Sequence, residues 1–176
     1  MSSRAAVQRG FAALERDREA LLLSLAGRSR EWLRRKPAVG SWCAVEVVDH
    51  LVRVERGILR LMRENVGRQN GTSVQGGFRN AVLLTVMVLP IRVKVPKSAS
   101  AVKPGEPREA EELAAEWAAT RRELDSFIGS LSEPDLRKGL FRHPRGDWMS
   151  AHWVLRFLRA HLHHHRYQLR RLKRVN

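Results

Sequence analysis

His161 and His165 stand one helical turn apart in the middle of an apolar stripe, and this pairing sharply limits how the chain can fold. With about 100° of rotation per residue, Val154, Phe157, Leu158, His165, Gln168 and Leu172 all fall within about 60° of His161 on a helix running from Ala151 to Arg174. The opposite face carries Arg156, Arg159, His163, Arg166, Arg170 and Lys173 and reads as the wet side, with His164 on the flank. Ser150 is a suitable N-cap for this helix. A stripe of this kind must be buried against other elements, so it carries His161 and His165 inward and leaves His163 outside. Imidazoles taken out of water need polar partners.

Three more long helical patterns supply the packing surface. The first runs from about Ser3 to Arg35 through Phe11, Leu14, Leu21, Leu22, Leu25 and Trp32, with Gly27 as a candidate break. The second covers about Ala44 to Val66 and the third about Arg108 to Leu131, the latter with Leu113, Trp117, Thr120, Leu124, Phe127 and Ile128 on one side. Lys36 to Trp42 reads as a loop by its Pro and Gly, Gly67 to Gly77 as an exposed loop, and Ser132 to Met149 as a connector with one short turn of helix. No internal repeat and no convincing set of strands is present. The pattern predicts an all-α chain, a four-helix bundle in one domain spanning residues 1–176, with a short extra helix or loop insert. That insert lies in 67–104. Its apolar run, Phe78 to Leu89, reads equally as helix or strand, and Pro90, Pro96 and Pro104 make the rest extended or irregular. The apolar run is open to three uses: covering the bundle, contacting a second copy, or touching a membrane.

Composition narrows the setting. The chain has 176 residues, enough for a core without staples, and its one cysteine, Cys43, cannot form an internal disulfide. The N-terminus lacks an apolar segment after its charges, and the run from Ala81 to Ile91 is too short to span a bilayer. A soluble cytoplasmic protein without a transmembrane segment is expected. The net charge is +15, and 27 of the 33 basic residues are arginine. Such a field attracts nucleic acid, anionic surfaces or acidic small molecules. The arginines are dispersed rather than gathered beside aromatic residues, which favours solvated faces over a nucleic-acid interface.

His50 joins the histidine pair. It lies on the apolar face of the second helix with Cys43, Val47, Val54, Ile58 and Leu61. The pair alone is balanced between a metal site and two hydrogen-bonded core histidines. With three inward imidazoles on two helices a shared cation is favoured, because one ion satisfies all three. Glu46, one turn before His50, is a candidate base or orienting group, or simply a favourable charge at a helix start. Gln168 is a candidate hydrogen-bond partner behind the histidines. Cys43 is open between a reactive thiol or soft ligand and a small core residue, with the core reading favoured. Trp42 and Trp148 are expected to anchor loops at the bundle end or wall a pocket mouth. Asp49 and Glu55 read as surface charge.

The segment Trp42-Cys-Ala-Val-Glu-Val-Val-Asp-His50-Leu-Val-Arg-Val-Glu55 resembles the Trp-led second-helix motif of the DinB/YfiT-like family. His143-Pro-Arg-Gly-Asp-Trp-Met-Ser150, followed by Leu155 to Gln168 with its His161 and His165, resembles that family's closing helix, and Lys94-Val-Pro-Lys97 to Arg121 its middle section. The resemblance implies a four-helix bundle that binds one divalent metal ion, zinc or nickel, through His50, His161 and His165. It also implies metal-activated S-transfer with a low-molecular-weight thiol cosubstrate, or hydrolysis, acting on a small-molecule substrate, and a homodimer. The strong basic charge departs from the family pattern. Two rivals follow from the residues themselves: a basic bundle that binds nucleic acid or an anionic surface, and a metal-free bundle with a buried histidine network.

Overall fold

The computed structural model describes residues 3–68, 70–89 and 102–172. Four long helices form the bundle: α1 (Ser3–Leu23), α3 (Ala44–Asn65), α5 (Ala110–Ser130) and α7 (Ala151–Leu172). Between them lie α2 (Arg30–Arg34), α4 (Val74–Val88), α6 (Glu133–Arg137) and a two-residue hairpin, β1 (Phe141–Arg142) with β2 (Trp148–Met149). The strands pair antiparallel, Phe141 opposite Met149 and Arg142 opposite Trp148. Around the bundle, α1 packs on α7 and α5, and α3 packs on α5 and α7. Among the described residues no helix is long and apolar enough to cross a membrane.

Local chemistry explains most boundaries. The expected first helix is two: α1 stops at Leu23, and Gly27 takes a φ of 74°, a left-handed conformation that costs glycine nothing. Ser29 then caps α2, its hydroxyl accepting from Trp32 N. At the start of α3 the Glu46 carboxylate accepts from Cys43 N at 2.7 Å, reaching back over the first turn to a backbone N–H that has no helical partner. The 67–77 loop is shorter than expected, because Ser73 caps a helix beginning at Val74. The ambiguous run from Phe78 is therefore helical. Pro90, Pro96, the Lys94–Lys97 part of the middle section, Lys173 and the end of the last helix at Arg174 lie outside the described residues.

The core forms two clusters. One gathers Val7, Leu14, Met62, Leu124, Leu155 and Leu158; the other gathers Leu21, Val47, Leu51, Trp117, Leu162 and Leu169. α7 runs through both, so its inward histidines stand where the clusters meet. The small hairpin is fastened to α4 by Asn80, fully buried, which accepts from Asp147 N at 2.9 Å and donates to Trp148 O at 3.1 Å. Gly146 permits this approach: a Cβ there would stand 2.7 Å from the Asn80 amide oxygen.

Two sequence expectations are corrected here. Glu55 is buried, and Arg121 of α5, also buried, grips it with two hydrogen bonds of 2.6 and 2.7 Å. Asp49 is buried as well. It accepts from Arg53 Nε at 2.8 Å and from Gly105 N at 3.0 Å. Neither is surface charge: Asp49 lies in the run from Cys43 to Val52, every residue of which is buried, and Glu55 faces α5, where Arg121 meets it.

Candidate metal centre

The site begins with the spacing on α7. Residues four apart lie on one face, so His161 and His165 present adjacent rings, their centroids 4.6 Å apart. His50 reaches them from α3. Nε2 of His161 is 3.2 Å from Nε2 of His50 and 3.1 Å from Nε2 of His165. One ring nitrogen from each of the three residues lies within 4.8 Å of the others, and all three side chains are buried. His163 points away to Asp17 of α1 at 2.7 Å, and His164 on the flank donates to Met87 O at 3.0 Å.

The outer nitrogens decide what the inner ones can do. His50 Nδ1 lies 2.6 Å from Val102 O, and a carbonyl only accepts, so Nδ1 carries the hydrogen and Nε2 is left with a bare lone pair. His165 Nδ1 lies 2.9 Å from the Gln168 amide oxygen, which gives the same result. Two of the three converging Nε2 atoms are therefore acceptors. His161 Nε2 carries at most one hydrogen and can satisfy only one of them. A cation among the three nitrogens satisfies all of them, so the donor set fits a metal ion.

The electrostatics agree. Burial pushes all three imidazoles below their ordinary pKa, and the Val102 carbonyl opposes the shift only partly at His50. His165 is pushed down to about 3, and His161 is held well below the usual range by burial and by its two histidine neighbours. Near neutral pH these rings are uncharged, the form that ligates metals. Trp42 lies against His50 at 4.8 Å and against His165 at 6.2 Å, and Phe157 stacks on His161 at 5.9 Å. Trp42 thus walls the site, whereas Trp148 packs over Gly139.

Glu46 sits in the α3 cap with Lys36 Nζ at 2.9 Å. Burial raises its pKa, but the hydrogen bonds from Cys43 N and Lys36 outweigh that and keep it a carboxylate. Cys43 is fully buried, and burial pushes its thiol up, toward the protonated and less reactive form. Val102 and Asp49 are additions that sequence reasoning missed. Asp49, by holding Gly105 N, fixes the strand of chain whose carbonyl meets His50.

The basic face of α7 is partly neutralised. Arg159 and Arg166 stand 2.6 and 3.7 Å from Asp17, while Arg156 keeps its charge and stacks on Trp153 at 4.6 Å.

Residues 13–169 match the family model described as the DinB superfamily. No curated protein and no solved structure matches the chain.

Proposed function

Since the chain belongs to the DinB superfamily, we propose that His50, His161 and His165 hold one divalent metal ion, zinc or nickel, for S-transfer or hydrolysis of a small molecule. The observation that carries this reading is the convergence of three Nε2 atoms, two of them fixed as bare lone pairs by Val102 O and the Gln168 amide. Three neutral nitrogens leave the charge of the ion uncompensated, and a divalent ion there supplies Lewis acidity and lowers the pKa of a bound thiol or water.

The chain's own residues have separate tasks. Val102 O and Gln168 orient His50 and His165 and fix their tautomers. Asp49 acts through Gly105 as a positioning residue for Val102. Trp42 and Phe157 cover ring faces and exclude water from them. The carboxylate of Glu46 is already engaged by Cys43 N and Lys36, so its role in this reading is to position the start of α3 one turn before His50 rather than to accept a proton. A low-molecular-weight thiol is the cosubstrate for the transfer reaction, and water takes its place in hydrolysis.

Isothermal titration of metal-stripped protein with zinc and nickel tests the site. One equivalent bound by the wild type, and none by His165→Ala, is the expected result; equal binding by both sinks the reading. Assays for thiol transfer and hydrolysis on the loaded protein then separate the two reactions.

A further inference from the structure

The 41 residues between Glu64 and Glu106 contain six Lys and Arg and no Asp or Glu. Within that stretch α4 packs Gly76, Asn80, Leu84 and Met87 inward, against α7 and the hairpin. Its outer face is open and, apart from Gln75 and Thr85, apolar: Val74 is 93% exposed, Phe78 72%, Val82 47% and Leu89, the C-cap, 46%. Among the described residues ten large hydrophobic side chains are exposed, and six belong to this helix and its cap. Concentration of this kind on one helix marks a contact surface, because single exposed apolar residues are ordinary and a contiguous set is not.

Charge selects the occupant. Arg79 is the only charged residue of α4. Arg142 and Arg145 are exposed on the hairpin that Asn80 fastens beside it, against the single acid Asp147. A second copy of the chain would set Arg79, Arg142 and Arg145 against the same three arginines, with Asp147 as the one nearby acid on each side. Nucleic acid offers phosphates but no apolar boundary to receive Phe78 and Val82. An anionic bilayer offers both, a layer of negative headgroups and an acyl boundary just beneath it.

We propose that α4 docks this protein on an anionic lipid surface, with Val74, Phe78, Val82 and Leu89 entering the headgroup–acyl boundary and the surrounding arginines meeting lipid phosphates. The helix lies in the interface and does not cross it, in keeping with its 15 residues. This surface stands on the exposure of α4 and on the charge around it, and needs no metal.

Co-sedimentation with vesicles of phosphatidylcholine, with and without phosphatidylglycerol, tests it. The wild type is expected to sediment with the anionic vesicles and to stay in solution with the neutral ones. Phe78→Asp should lower the partition by about tenfold or more, the loss expected when one large apolar side chain no longer enters lipid. Phe78→Trp should retain binding, with a blue shift of its fluorescence on anionic vesicles only. Because Phe78 is exposed, both variants should keep the helical circular dichroism of the wild type. Three results would overturn the proposal: no sedimentation with anionic vesicles at low salt; equal sedimentation of wild type and Phe78→Asp, which is adhesion by charge alone; or a stable wild-type dimer that Phe78→Asp turns into monomer, which gives the face to a second copy.

Discussion

The carbonyl oxygen of Val102 accepts a hydrogen bond from Nδ1 of His50 at 2.6 Å, joining a loop to α3 across 52 positions of sequence. Asp49 ties the same loop down three residues further along, accepting from Gly105 N at 3.0 Å. A histidine whose outer nitrogen is held in this way keeps one tautomer and one ring orientation, and both raise its affinity for a metal.

Asp49→Ala should therefore weaken metal binding by about 10–100-fold, although Asp49 touches no ligand atom. Calorimetric titration with zinc measures it. Unchanged affinity, in a variant that circular dichroism shows to be folded, would separate the loop from the site.

Gln168 is tested in the same way on the other helix. Removing its amide in Gln168→Ala frees the His165 ring, whose Nδ1 now lies 2.9 Å from that oxygen. Affinity should fall about tenfold while the thermal midpoint of the metal-free protein moves little, because Gln168 is only partly buried. An equal loss of midpoint and affinity would make Gln168 a general stabiliser instead.

The Glu55–Arg121 pair makes a different demand. Both side chains are buried, and deleting one strands the other as an uncompensated charge. Arg121→Met should cost about 3–5 kcal/mol in urea unfolding. Glu55→Leu combined with Arg121→Met should recover most of that loss, since two apolar residues leave no charge behind. A double variant as unstable as the single one would point to the Glu15–Arg121 contact at 3.2 Å as the interaction that matters.

Acid should unfold the metal-free protein partly through His143. Burial, with Arg145 nearby, pushes its pKa down to about 4, and its ring lies against Phe157 at 4.9 Å. In the unfolded chain the same group titrates near about 6.5. Below that value the unfolded state takes a proton that the native state refuses. The stability tied to His143 is thus complete above about pH 6.5 and drains away as the pH falls toward about 4. His143→Phe should show a shallower loss than wild type between these limits in urea titrations; parallel curves would remove His143 from the acid response.

Some of this was legible in the sequence for clear physical reasons. The i, i+4 spacing of His161 and His165 inside an apolar stripe fixes their face without any knowledge of the partner helix, and His50 sits equally well on its own stripe. The helical period also marks the four long helices. Asp49 and Glu55 were misjudged because a helical wheel assumes one buried face. α3 is buried all round from Ala44 to Val52, where Asp49 lies, and Glu55 faces α5; both acids look like solvent-facing breaks until Gly105 and Arg121 arrive from 56 and 66 positions away. Val102 left no mark because its contribution is a backbone carbonyl, which any residue would supply. The hairpin was invisible for a simpler reason: two residues per strand cannot show an alternating pattern.

The most direct measurement is the metal content, by mass spectrometry, of protein purified without a histidine tag, beside its His50→Ala and His161→Ala variants. A three-histidine centre predicts about one divalent ion per wild-type chain and none in either variant. Metal absent from the wild type even after loading with zinc and nickel, or retained unchanged in both variants, would contradict it.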